Sequence, residues 1–182
     1  MMTGPDQVTD WQRSDNPLIE SPAALDGWIA DGRHHYPLRV QYEDTDAGGI
    51  VYHANYLAFA ERARSAYLRC IGINQETALN GGSAPPLEDA ILVVRRLTID
   101  YRRPAGLGVA LRVETRLTAL RGASMQLEQS IMNFEDGHIL ARLLVDIGCV
   151  AASADGGKRP RRIPSAVADR LRATAPPDTS AG

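Results

Sequence analysis

Apolar and polar positions first alternate at Leu38, Val40 and Tyr42, with Arg39, Gln41 and Glu43 between them, which predicts a half-buried strand beginning near Tyr36. A turn containing Gly48 and Gly49 follows. From Tyr56 the period lengthens: Tyr56, Phe59, Ala60, Ala63, Tyr67, Cys70 and Ile71 step by three and four, while Glu61, Arg62, Arg64 and Arg69 fill the gaps. That spacing predicts a helix of about 16 residues with one apolar face, Asn55 as its N-cap and Gly72 as its stop. Beyond a Gly- and Pro-rich loop at 81–86 come four strand-like runs, at 90–102, 109–120, 124–134 and 139–151. Arg121-Gly122 and Asp136-Gly137 read as hairpin turns between them.

The order strand, long helix, four antiparallel strands predicts an α+β domain over residues 36–154. One helix cannot cover both faces of a five-stranded sheet, so the economical packing is a curved sheet wrapped around that helix. Alternation nearly vanishes over 143–151, where Asp146 and Gly148 alone interrupt the apolar run, which predicts burial on both faces. A monomer has no second layer to supply it and leaves two strand edges bare. A homo-oligomer, dimer or tetramer, is therefore expected. Residues 1–35, punctuated by Pro5, Pro17, Pro22, Gly4, Gly27 and Gly32, read as a poorly ordered extension in which 23–29 forms one or two helical turns capped by Ser21. At least one of Trp11 and Trp28 is expected to pack on the domain. Residues 155–182 read as a basic tail, with Lys158, Arg159, Arg161 and Arg162 around Pro160 and a short helix at 165–172.

Composition narrows the class without naming a chemistry. The chain has 182 residues, 44% of them hydrophobic, and a net charge of −2, which fits one soluble domain and gives no basic excess for nucleic acid. Its longest uncharged stretch, 47–60, is too short and too polar to span a membrane, and the N-terminus lacks signal-peptide features. Cys70 and Cys149 sit in apolar patterns without metal-ligand spacing and read as buried thiols in a reducing, cytoplasmic compartment. The basic run 158–162 leaves a weak contact with the anionic inner-membrane surface open.

Chemistry concentrates at 43–56, between a strand end and a helix start. Gly48 and Gly49 let backbone approach a ligand closely, and a helix N-terminus favours a carboxylate or a developing oxyanion. Asp44 reads as a structural turn residue. A calcium loop counted from Asp44 fails, because its fifth and twelfth positions are Gly48 and Asn55. A phosphatase loop lacks its lysine, the sole lysine being Lys158. His34, His35, His53 and His138 show no zinc spacing. No metal and no separate cofactor is expected.

The run 42–56, YEDTDAGGIVYHANY, together with Phe59, Glu61, Arg62, Ala63 and Arg64, closely resembles the hot-dog acyl-CoA thioesterases of the 4-hydroxybenzoyl-CoA thioesterase group, and within it the Tol-Pal-associated acyl-CoA thioesterases. The resemblance continues through 93–98, 101–105 and 121–124 and ends near 162–164, covering about 36–172. It implies a hot-dog fold, a five-stranded antiparallel sheet wrapped around one long central helix. It also implies tight dimers, often paired into tetramers, with active sites at subunit interfaces and coenzyme A as part of the substrate. Asp46 matches the catalytic carboxylate, as general base or as nucleophile. His53 matches a helix-start position whose backbone N–H faces the thioester carbonyl and whose side chain is also implicated. Arg121 and Ser124 match a turn that contacts the nucleotide end in some relatives, and Gly49 and Tyr52 complete the expected substrate-binding set. The expected partner is an acyl-CoA or acyl carrier protein thioester. Two other functions stay open: a hot-dog hydratase or dehydratase using His53 and Glu61, and a non-catalytic adaptor for an acyl carrier protein or an envelope complex.

Overall fold

The computed structural model describes residues 22–75, 87, 90–152 and 158–175. Strands β1 (Trp28–Ala30), β2 (Arg33–Arg39), β3 (Ala90–Tyr101), β4 (Ala110–Arg121), β5 (Ser124–Asn133), β6 (Ile139–Ala152) and β7 (Lys158–Pro160) form one antiparallel sheet, with helices α1 (Asn55–Cys70) and α2 (Ser165–Ala173). Sheet order is β1-β2-β4-β5-β6-β3, and β7 pairs with β6. The four strands expected after the helix appear within two residues of their predicted ends. Phe59, Ala60, Ala63 and Tyr67 of α1 are buried in one cluster with Leu111, Val113, Leu127, Ile131, Leu143 and Val145 from the sheet. The alanines let the helix lie close to the sheet, and each fully buried large side chain contributes about 1.5–3 kcal/mol. This is the hot-dog arrangement.

α1 stops where its sequence says it should. Gly72 adopts φ +72°, its N–H donates to Arg69 O at 2.8 Å, and the Ile73 N–H reaches back to Leu68 O at 2.8 Å, a Schellman closure. The start differs from the expectation. Ala54 holds the cap position without a side-chain bond, and Asn55 is the first helical residue. Its side chain turns back to the preceding loop instead of capping.

The flanks belong to the domain more than their composition suggests. The expected boundary at 36 falls inside β2, which begins at Arg33 and ends at Arg39. Residues 42–44, expected to extend that strand, form a 3-10 turn, because the Asp44 Oδ2 accepts the Gln41 N–H at 2.8 Å and its own N–H donates to Gln41 O at 3.1 Å. The predicted helical turns at 23–29 are a 3-10 turn over Pro22–Asp26 followed by β1. Gly27 separates them at φ +77°, where a Cβ would sit 2.0 Å from the His35 carbonyl oxygen. Trp28 packs on the domain, stacked on His35 at 5.4 Å. Asp26 is ion-paired to Arg69 of α1 at 2.7 Å. Trp11 and Ser21 lie outside the described residues. At the other end, Lys158 and Arg159 are not in a free tail but in β7, and α2 buries Val167, Ala168 and Leu171.

Two further expectations change, for Cys70 and for Arg64. Cys149 is buried but Cys70 is exposed, and both are free thiols. In β6, Leu143, Val145, Ile147 and Cys149 are buried, whereas Leu144 is 42% exposed, so the single chain does not cover both faces. Arg64, placed by the pattern among polar gaps, is 9% exposed. Its Nη1 donates to Gln129 Oε1 at 2.8 Å, and Gln129 Nε2 donates to Ala60 O at 2.9 Å and Thr115 Oγ1 at 3.0 Å. Burial lowers the Arg64 pKa, and the nearby Glu61 charge opposes that shift.

His34 is buried, with Nε2 2.6 Å from Asp26 O and Nδ1 without a partner. Burial holds its pKa below 6.5, against an opposing contribution from the Asp26 carbonyl. The folded state therefore binds the His34 proton less readily than the unfolded chain. Stability is full above about pH 6.5, where both states are neutral, and falls as pH drops below that value towards the folded pKa. Thermal melts from pH 8 to pH 5 should show a steeper loss of Tm for the native sequence than for His34→Gln. Parallel curves would contradict this.

Candidate active site

The loop from Glu43 to Ala54 is closed by backbone. The Asp44 carbonyl accepts the Tyr52 N–H at 2.9 Å and Asn55 Nδ2 at 3.0 Å, so the end of the strand-side segment is tied to the first residue of α1. Thr45 bridges Val51, and Ile50 bridges Gly106. The Val51 N–H donates to Ala105 O at 2.9 Å, which holds the loop to the segment after β3. Asp44 itself is buried and structural, as expected.

Inside this closure Asp46 sits exposed at a tight turn. Its N–H donates to Ile50 O at 2.9 Å, its carbonyl accepts the Gly49 N–H at 2.9 Å, and its Oδ1 accepts the Gly48 N–H at 2.8 Å. One carboxylate oxygen is thus oriented by backbone, while Oδ2 accepts no hydrogen bond among the described residues. Gly49 holds φ +72°, a conformation that side chains rarely adopt.

His53 lies at the entry of α1. Its ring packs against Tyr52 at 4.3 Å and faces the edge of Tyr101 at 6.4 Å, and its carbonyl accepts the Tyr101 hydroxyl at 2.9 Å. Its backbone N–H donates to no protein acceptor among the described residues. The N–H of the neighbouring Tyr52, by contrast, is already engaged by Asp44 O.

Beside His53 opens a cavity of about 290 Å³ lined by Ile50, Val51, His53, Tyr56, Tyr101, Arg102, Arg103 and Pro104. Most of its wall is apolar or aromatic. The Tyr56 hydroxyl accepts the Ala105 N–H at 3.1 Å in a buried bond, and burial raises its pKa. Tyr101 and Pro104 lie in the matching run 101–105, yet the sequence assigns them no place at the site, since a tyrosine ending an amphipathic strand gives no signal of what it packs on. Asp46 does not line this cavity, but its N–H is bonded to the carbonyl of Ile50, which does.

The remaining candidates separate into two places. Arg121 and Ser124 come together with Arg95 around a second cavity. Glu61 is exposed on α1 and accepts the Ser65 hydroxyl at 2.8 Å. It lines a small cavity of about 100 Å³ with Arg64 and Leu92, not the cavity of His53, so within one chain the pair needed for a hydratase is not assembled. No cluster of His, Cys, Asp and Glu suited to a metal occurs among the described residues.

Comparison with known proteins identifies the family. A family model described as thioesterase-like superfamily matches residues 40–171, a span that runs from the end of β2 into α2. The acyl-CoA thioesterase YbgC of Haemophilus influenzae is 41% identical over 122 residues, covering 67% of this chain and 84% of that protein. The acyl-CoA thioester hydrolase YbgC of Escherichia coli O6:H1 is 38% identical over 133 residues, covering 72% and 90%. The crystal structure of a probable thioesterase from Bartonella henselae superposes with a TM-score of 0.62 at 36% identity, covering 72% of this chain and 99% of that one. With a family model matching more than half of its length and relatives at about 40% identity, the chain belongs to the thioesterase-like superfamily and is a hot-dog thioesterase.

Proposed function

We propose that this protein hydrolyses acyl-CoA thioesters to a free acid and coenzyme A, using Asp46. The observation that carries the reading is the Asp46 turn, one carboxylate oxygen oriented by Gly48 and the other open, next to a helix entry with a free N–H at His53. The acyl-CoA activity of the relatives supports the substrate class. An aromatic and aliphatic wall of Ile50, Val51, Tyr56, Tyr101 and Pro104 suits an acyl group.

A thioester carbonyl needs polarisation and an oxygen nucleophile. The His53 N–H accounts for the first, a single such donor being worth about 3 kcal/mol of transition-state energy. Asp46 accounts for the second in one of two ways. As general base it takes a proton from water while the water oxygen bonds to the carbonyl carbon. As nucleophile it bonds to that carbon itself, and water then cleaves the mixed anhydride. In both, the C–S bond breaks and the thiolate departs without strong acid assistance. This reading places the protein with the 4-hydroxybenzoyl-CoA thioesterase group, in the cytoplasm. Among the described residues no helix is long and apolar enough to cross a membrane.

The same reading includes association. Among the described residues β3 pairs with β6 alone, leaving one edge of this twelve-residue strand without a partner. Val94 on that strand is 50% exposed and Leu144 on its neighbour 42%. A twofold partner pairing at this edge would remove an aggregation-prone strand, and one packed on the outer face would cover Leu144.

Free-thiol release from a panel of saturated and aromatic acyl-CoAs tests the activity. Asp46→Asn should lower kcat about 100-fold or more in a folded protein, and His53→Ala about tenfold, because the backbone donor survives the second substitution. Native turnover in Asp46→Asn would remove the carboxylate from the mechanism. Light scattering coupled to size exclusion should give a mass at least twice the 19.7 kDa of the chain. A fully active species of single-chain mass would contradict the oligomer.

A further inference from the structure

The backbone around His53 is fastened on both sides of the one group left open. The Tyr52 N–H donates to Asp44 O at 2.9 Å, and the Tyr52 carbonyl accepts the Asn55 N–H at 2.8 Å. In a trans peptide the Tyr52 carbonyl and the His53 N–H point in opposite directions, so this second bond also aims the His53 N–H, away from Asn55. The next peptide plane is held at the His53 carbonyl, which accepts the Tyr101 hydroxyl at 2.9 Å. Both planes that meet at His53 are thus held, while its N–H donates to no protein acceptor among the described residues.

Tyr101 is well seated for this task. It lies 48 residues further along the chain, at the end of β3 and opposite Ala141 of β6. The Arg102 and Arg103 N–H groups both donate to Leu140 O, at 2.8 and 3.2 Å, which fastens the chain where it leaves the strand. The Tyr101 ring meets buried Tyr56 at 5.7 Å and 75°, and His53 at 6.4 Å and 85°, two edge-to-face contacts. Although the residue is 44% exposed, its hydroxyl is committed to the His53 carbonyl. Desolvation raises its pKa above the usual 10, so it stays a neutral donor at and below that pH.

Other bonds from the segment after β3 hold the loop without touching His53. The Ala105 N–H donates to the Tyr56 hydroxyl at 3.1 Å, Ala105 O accepts the Val51 N–H at 2.9 Å, and Gly106 bridges Ile50. Of the bonds on the backbone of residues 52 and 53 among the described residues, the one from Tyr101 alone is made by a side chain. Removing one hydroxyl therefore frees the His53 carbonyl and leaves the rest of the loop closed. Such a release matters for rate, because a donor stabilises a developing charge only where its geometry is fixed, and a displacement of about 1 Å costs up to about 100-fold.

We propose that Tyr101 is a positioning residue of the reaction: its hydroxyl, bonded to the His53 carbonyl, holds that residue so that the His53 N–H meets the oxyanion developing on the thioester carbonyl. The proposal rests on the hydrolase reading for the identity of that carbonyl. Tyr101 neither takes nor gives a proton in the reaction. Its ring also lines the acyl cavity, so the wall that receives the acyl group and the donor that polarises its carbonyl are parts of one braced unit.

Tyr101→Phe, made in the full chain, keeps the ring and removes the hydroxyl. It should lower kcat for an acyl-CoA about tenfold with KM within about twofold, and lower Tm by less than about 4 °C. A dithioester substrate, with sulfur in place of the carbonyl oxygen, separates positioning from general loosening. Thiocarbonyl sulfur accepts a hydrogen bond poorly, so the kcat ratio of oxygen to sulfur substrate reads the N–H contact. That ratio should shrink about fivefold in Tyr101→Phe, whereas loosening alone lowers both rates equally. The pH–rate profile should keep its shape, and a displaced alkaline limb would make the hydroxyl an acid of the reaction instead. Backbone 15N relaxation tests the brace without substrate: the His53 order parameter should fall from about 0.85 towards about 0.6. A native kcat, an unchanged substrate ratio or an unchanged order parameter in folded Tyr101→Phe would overturn the proposal. If the order parameter falls as expected but the native protein cleaves no acyl-CoA, the brace stands and the hydrolase reading fails.

Discussion

One carbonyl oxygen holds the candidate site together. Asp44 O accepts the Tyr52 N–H and the Asn55 side chain, at 2.9 and 3.0 Å, and so closes the loop of Asp46, Gly48 and Gly49 onto the first turn of α1. Each bond contributes only about 1 kcal/mol net, but both act on the same point, and a free loop of this length would sample many shapes. Asp44 is in turn buried and held through its carboxylate to the Gln41 N–H. The side chain therefore fixes the residue, and its carbonyl fixes the loop that carries Asp46 and leads into His53.

The helix to which this loop is tied must itself be immobile, and the sheet makes it so. Its alanines allow close contact with the inward residues of β4, β5 and β6, and the Arg64–Gln129–Thr115 network crosses the same interface with polar bonds. Gln129 also accepts no freedom in the helix position, because its amide donates to the Ala60 carbonyl. A buried arginine satisfied by a neutral amide is costly to place and strongly selective for one register of helix on sheet.

What the sequence made legible followed from periodicity over long stretches. α1 and the four strands from β3 to β6 each repeat their pattern several times, and Gly72 and the two hairpin turns mark their ends with residues whose backbone freedom is required there. β1 and β7 are three residues each, too short for any period, and their membership depends on pairing with β2 and β6 rather than on composition. Arg64 was misread for a different reason: a cation at a boundary position of a helix normally reaches solvent, and only the distant Gln129 makes its burial tolerable. The Asp46 turn was visible because its residues are unusual together. The cavity wall of Tyr101 and Pro104 was not, because those residues come from the far end of another strand. Asn55 shows how a good cap residue can serve a tertiary bond when the preceding turn already shapes the helix entry.

The central claim is that the thioester reacts where Asp46 and the helix entry meet. A crystal structure of the protein with a non-hydrolysable acyl-CoA analogue, its sulfur ester replaced by a methylene ketone, tests this most directly. The account predicts the ketone oxygen within hydrogen-bond distance of the His53 N–H, the Asp46 carboxylate beside the carbonyl carbon, and the acyl group against Ile50, Tyr56 and Tyr101. A ketone seated away from Asp46, with another carboxylate such as Glu61 at the carbonyl carbon, would contradict it.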